Sequence, residues 1–173
     1  AGDDISKFQH ALSRVFGIAN FAFARQVSQD TDSLGATALN LLRERSSSAA
    51  VVTGKDPAES LPAKEATFKI ETARSDKRFP LTSLEVSKLI GARVVSELGL
   101  KVDVKNPEIV CYVEITTQGA FVYIDKIKGL GGLPTDASGV MIGFLSGGID
   151  SPVASYRLMG RGARIIFVHF HSY

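Results

Sequence analysis

The chain has 173 residues, of which 45% are hydrophobic and 22% charged, with a net charge of +2, an ordinary balance for a soluble globular protein of one large or two small domains. So small a charge does not mark a nucleic-acid binder, and any basic surface must come from local clustering. No apolar run approaches the roughly 20 residues that span a bilayer, and Ala1-Gly2-Asp3-Asp4 is not a signal peptide, so a cytoplasmic address without a membrane partner is the default.

In chain order, Ile5, Phe8, Leu12, Val15 and Phe16 recur at helical spacing over residues 4–16, with Asp3 or Asp4 as a cap. Gly17 ends that helix, and residues 20–27 read as a strand with Phe21 and Phe23 on one face. Thr31-Asp32 opens a second helix carrying Leu34, Ala38, Leu41 and Leu42. Residues 1–45 therefore form an α+β module lacking its first strand. Residues 46–64 hold Ser46-Ser47-Ser48, the turn Gly54-Lys55-Asp56-Pro57 and Pro62, which predict a linker or loop with a short strand at 50–53.

Residues 67–73 alternate as a half-buried strand and deliver the charged loop Arg74-Ser75-Asp76-Lys77-Arg78, closed by Phe79-Pro80. Thr82 and Glu85 have capping-box spacing for a helix bearing Leu84, Leu89, Ile90, Val94, Val95 and Leu98, which Gly99 terminates. Strands follow at 102–104, 109–116 and 121–127, giving residues 65–128 a small α/β layer with one buried helix. Cys111, the single cysteine, excludes an internal disulfide and falls mid-strand between Val110 and Val113, the setting of a small buried apolar residue.

Residues 129–139, opening Gly129-Leu130-Gly131-Gly132-Leu133-Pro134, look like a hinge. Beyond it the apolar run from Val140 stops at Ser146-Gly147-Gly148, and a helix follows from Pro152 to about Arg161, with Ser151 as N-cap. A second apolar strand fills 164–169. The runs are nearly continuous, which suits parallel strands covered on both faces. Strand, glycine turn and helix N-terminus leave backbone N–H groups unpaired, a natural anion site. The same turn would also serve as a tight strand-to-helix connection. A Walker A loop is excluded because Asp150-Ser151 stand where Lys-Ser/Thr belong. The hydrolase elbow fails at Phe144, and the dinucleotide pattern fails for want of a third glycine.

With Ser146-Gly147-Gly148-Ile149-Asp150-Ser151 in this setting, the chain resembles the PP-loop ATP pyrophosphatases. The 74–83 segment, Lys101-Val102-Asp103-Val104-Lys105-Asn106-Pro107, Lys126-Ile127-Lys128-Gly129 and Gly131-Gly132-Leu133-Pro134 look like the RNA-binding THUMP domain and hinge of tRNA 4-thiouridine synthetases (tRNA sulfurtransferases). Val15-Phe16-Gly17-Ile18 is similar to the end of the ferredoxin-like domain that precedes THUMP there. The implied fold is α/β with an α+β N-terminal part: a partial ferredoxin-like domain (1–45), THUMP (65–128), a hinge (129–139) and the first βαβ unit of a PP-loop domain (140–173).

The resemblance implies that uridine 8 of tRNA is adenylated at O4 with ATP and Mg²⁺, after which a persulfide sulfur, supplied by a donor such as a cysteine desulfurase, displaces the adenylate. On that carry-over Ser146, Gly147, Gly148, Asp150 and Ser151 hold the phosphates, Asp150 being the catalytic candidate. Phe144, Leu145, His169 and Phe170 flank the adenosine. Arg74, Lys77, Arg78, Lys101, Lys105, Lys126 and Lys128 form the tRNA-backbone surface, where phosphate contacts give salt-dependent affinity; a solvated charged face is the plainer reading of any one of them. His169 and His171 alternate on one strand but lack a third ligand, so no metal site is expected of them.

Three departures qualify the resemblance: the missing first strand and helix, the residues after Pro134, and the end at Tyr173, before the persulfide cysteine and any rhodanese extension. The expectation is an enzyme fragment, inactive alone, of a family that also touches thiamine biosynthesis and allows a homodimer. A stand-alone THUMP-type tRNA-binding module, or a different PP-loop enzyme, is the rival reading.

Overall fold

The structure, a computed structural model, describes residues 2–52 and 66–171. Its contacts divide the chain into two compact units, Ala22–Asp125 and Ala1–Phe21 with Lys126–Tyr173. Each unit is held together by pairing of segments distant in the sequence. The strand expected at 20–27 is two short ones, β1 (Asn20–Phe21) and β2 (Arg25–Val27). β2 joins the sheet of the following unit, whereas β1 pairs antiparallel with β7 (Ile127–Lys128).

In the unit Ala22–Asp125, α2 (Thr31–Val52) precedes β3 (Thr67–Arg74), α3 (Ser83–Leu98), β4 (Lys101–Val102), β5 (Ile109–Thr116) and β6 (Gly119–Ile124). The sheet order is β2-β6-β5-β3-β4; β3 runs parallel to β4 and β5, while β6 is antiparallel to β5 and β2. Both α2 and α3 pack on the sheet, so two helices cover it where one was expected. Leu34, Ala38 and Leu42 of α2 meet Phe68, Ile90, Val94, Val113, Ile115 and Val122 in one buried cluster. Arg25 of β2 is clamped to Glu44 of α2 by contacts of 2.8 and 3.0 Å.

α3 has the predicted ends. Thr82 accepts from the Glu85 N–H and Glu85 reaches back to the Thr82 N–H, completing the capping box, and Gly99 closes the helix in the left-handed region at φ 68°. Its buried stripe is Val86, Ile90 and Val94. Leu84, Leu89 and Val95, the other apolar residues named on this helix, are exposed because they lie on another side of it. α2 runs on to Val52, so residues 50–52 are helical rather than strand, and 53–64 lie outside the described residues. The strand expected at 121–127 breaks where Asp125 turns left-handed at φ 58°. The short strand expected at 102–104 ends at Val102, since the Asp103 carboxylate takes the N–H groups of Lys105 and Asn106 into a turn. Cys111 is fully buried and desolvation pushes its thiol up to about 12.

In the other unit, α1 (Gly2–Leu12) leads to a turn in which Gly17 donates to Gly131. β8 (Val140–Phe144), α4 (Asp150–Met159) and β9 (Arg164–Val168) form the βαβ unit, with β8 and β9 parallel. The segment 129–139 is bonded to the βαβ unit that follows it. Leu133 N–H donates to Gly160, Ser138 N–H to Gly162, and Asp136 pairs with Arg164 at 3.2 Å. Gly132, at φ 77°, lies so close to the Gly160 carbonyl that a Cβ there would collide with it. Gly143 lets α4 approach β8, for a Cβ there would stand 3.1 Å from Ser155 Oγ. The opposite face, with Val140, Ile142, Phe144 and Ile166, is exposed, so the apolar strands are not covered on both sides. Among the described residues no helix is long and apolar enough to cross a membrane.

Candidate functional site

The glycine turn sits where β8 ends and α4 begins, at the carboxyl ends of two parallel strands, the position at which open α/β sheets bind ligands. Leu145 N–H donates to Val168 at 2.8 Å, and His169 Nδ1 bonds the Leu145 carbonyl at 2.8 Å, so the two strand ends are stitched together. At the same ends Phe144 and Phe170 stack with ring centroids 5.8 Å apart, both exposed. The four residues expected to flank an adenosine therefore meet at one edge.

Ser151 corrects an expectation. It is inside the helix; the N-cap is Ile149, with no side-chain cap bond, and the helix begins at Asp150. The Ser151 hydroxyl instead accepts the Ser146 N–H at 3.1 Å and bonds Ser146 Oγ at 3.1 Å, holding the turn to the helix that follows. This leaves the first N–H groups of α4 without a side-chain acceptor, at the positive end of the helix dipole. Gly147, Gly148 and Ile149 donate no hydrogen bond to another described residue. Neither glycine has positive φ, and a Cβ at Gly147 would meet nothing within 4 Å. Bareness here thus serves an approach from outside. Asp150 is exposed and has no partner among the described residues. Unpaired donors beside a free carboxylate fit a phosphate chain accompanied by Mg²⁺. No cluster of three metal-ligating side chains occurs among the described residues.

Within Ala22–Asp125 the basic residues do not form one group. Arg74, Lys77 and Arg78 share the loop after β3, whose base is fixed by the N–H groups of Ser75 and Asp76 donating to Ile115 at 2.9 and 3.3 Å. Arg74 turns inward, its Nη1 donating to the carbonyls of Phe79 and Leu81 at 2.8 and 2.9 Å. Lys77 and Arg78 are exposed. Lys101 is registered with Thr67 at the other end of β3, roughly 20 Å along the strand. Lys105 lies in the turn after β4, and Lys126 and Lys128, both exposed, belong to the other unit.

The residue that sequence reasoning passed over is Asp76, quoted as part of the loop and given no role. It is 4% exposed, and the Arg78 side chain forks onto it, Nε to Oδ1 at 3.0 Å and Nη2 to Oδ2 at 2.8 Å, while the Arg78 N–H also reaches Oδ1 at 3.0 Å. The Arg78 side-chain bond, with its N–H, lowers the Asp76 carboxyl to about 2 and raises the guanidinium. An acid two positions before an arginine in a cationic loop was the available signal. A groove of ≈ 340 Å³ passes the ends of β3 and β5, lined by Ala73, Arg74, Ser75, Glu114, Ile115 and Thr116.

Comparison with known proteins matches residues 53–125 to the THUMP domain and residues 136–173 to the thiamine biosynthesis protein (ThiI) family. A "Probable tRNA sulfurtransferase" of Brevibacillus brevis is 36% identical over 99% of this chain and 39% of its own length. One from Methanocaldococcus jannaschii is 34% identical over 91% of this chain and 38% of its own. The chain thus spans about 40% of the length of the curated relatives it matches. Among solved structures, a Pyrococcus horikoshii protein superimposes with a TM-score of 0.81 at 32% identity, covering 95% of this chain and 51% of that one. A 4-thiouridine synthetase in complex with RNA and ATP gives 0.75 at 31%, covering 95% and 39%.

Proposed function

Because the chain belongs to the tRNA sulfurtransferase family, we propose that it carries the tRNA-binding domain and the ATP-binding turn of 4-thiouridine synthesis. The observation that supports this most is the turn itself: open glycines, with N–H groups and an Asp150 that have no partner among the described residues, at the carboxyl ends of β8 and β9. Bound there, ATP supplies the adenylyl group that makes O4 of uridine 8 replaceable by sulfur. The N–H groups of Gly147, Gly148 and the first turn of α4 would hold phosphate oxygens, as helix N-termini do. Asp150 would hold the accompanying Mg²⁺, and Ser151 keeps Ser146 and the turn in place. Phe144 and Phe170 offer ring faces to the adenine, and the His169 bond to Leu145 fixes the strand ends beneath it.

The sulfur comes from a persulfide donor such as a cysteine desulfurase, in the cytoplasm, and a homodimer is compatible with this reading. The test is titration of ATP with Mg²⁺ into the chain and its Asp150→Ala variant, beside titration of tRNA at two salt concentrations. The variant should lose at least tenfold in ATP affinity, in line with about 1.5–3 kcal/mol for hydrogen bonds and contacts to charged groups. Its tRNA affinity should be unchanged. Equal ATP affinity in the two proteins would remove Asp150 from the site, and tRNA affinity without any ATP binding would favour a THUMP-type binding module.

A further inference from the structure

We infer that Asp76 is a positioning residue, whose buried carboxylate aims the exposed guanidinium of Arg78 at an RNA phosphate, while Arg74 maintains the loop that carries them. This rests on the proposed tRNA binding and assigns labour within it. A carboxylate in an RNA-facing loop is a liability, since it repels phosphate and is costly to bury unpaired. Here it is 4% exposed and holds Arg78 by three hydrogen bonds, whereas the Arg78 side chain remains 80% exposed.

The fork uses Nε and Nη2, and Nη1 has no partner among the described residues. A guanidinium has five donors in a rigid plane, so fixing one edge on a carboxylate turns the remaining donors to solvent in a defined direction. A side chain already held loses less freedom when it meets a phosphate. The support beneath is equally fixed. Arg74 spans the loop through the carbonyls of Phe79 and Leu81, Phe79 is buried, and the backbone at Ser75 and Asp76 is bonded to β5. Arg74 thus has its Nη1 engaged within the loop, and Arg78 is the arginine presented outward.

The two explanations of Asp76 differ in sign. If it were merely a nearby negative charge, removing it would tighten RNA binding. If it positions Arg78, removing it weakens binding although the protein becomes more positive.

An unmodified tRNA transcript is titrated against the full 173-residue chain at several salt concentrations for wild type, Arg78→Ala, Asp76→Ala and the double variant, with thermal unfolding recorded for each. Arg78→Ala should weaken binding about five- to tenfold and lower the slope of log K against log salt by about 0.7–0.9. Asp76→Ala should weaken it about threefold or more as the positioned contact loosens, and should add no weakening in the Arg78→Ala background. Tighter or unchanged binding by Asp76→Ala, or the same loss with and without Arg78, would overturn the inference. Should Asp76→Ala not fold, Asp76→Asn, which keeps Oδ1 as an acceptor, is judged by the same signs. A wild-type chain without salt-dependent tRNA affinity would instead overturn the RNA-binding reading, and this one with it.

Discussion

At the scale of single residues, the chain's charged side chains divide by what they touch rather than by their sign. Arg74 and Arg78 stand four positions apart in one loop, yet one caps carbonyls and the other faces solvent. Asp76 decides the difference, and it also makes the fold sensitive to acid. Its folded value near 2 lies below the ordinary 3.8, so its ionised form stabilises the native state. That contribution is complete above about pH 4 and disappears as pH falls toward 2. Thermal midpoints measured from pH 6 down to 2 should therefore fall more steeply for wild type than for Asp76→Asn. Parallel curves would show that the carboxylate contributes no such linkage. Glu85 and Asp103 are lowered as well, by the backbone N–H groups they accept, so the comparison with the variant is what isolates Asp76.

The elements show how far local chemistry reaches. Helix α3 was legible from end to end because its signals are local: a Thr82–Glu85 box at one end and a glycine in the left-handed region at the other. Thr82→Ala should cost about 1 kcal/mol, read as a lower denaturant midpoint at unchanged slope. No loss would mean that water replaces the cap. Helix α4 is the opposite case. Ser151-Pro152 has the composition of a cap and first position, yet the helix starts earlier and the hydroxyl turns back to Ser146. A serine has several hydrogen bonds open to it, and the choice lies with the turn. Leaving the helix end uncapped leaves its first N–H groups without a side-chain acceptor among the described residues.

For the molecule as a whole, the buried cluster lies within Ala22–Asp125, while the strand pair β8–β9 leaves one apolar face exposed. Stability should follow that asymmetry. Ile90→Ala removes a side chain with no exposed surface and should cost about 2–5 kcal/mol. Ile142→Ser, at a side chain 64% exposed, should stay within about 0.5 kcal/mol. Denaturant unfolding of both variants checks the contrast, and comparable losses would place Ile142 in a core.

Neighbouring residues alone were enough to read the strands at 67–73 and 109–116, both ends of α3, the parallel β8–β9 pair and the glycine turn between β8 and α4. Alternation, capping and turn chemistry act over a few residues and are written in the order of the letters. Only the tertiary structure decided that β2 and α2 join the following sheet, that Lys101 lies at the far end of β3 from Arg74, and that Asp76 meets Arg78 in a fork. Those outcomes depend on which distant segments pair and on which side chain loses its water. Such pairings are selected by burial of the whole surface together, and no window of the chain contains them.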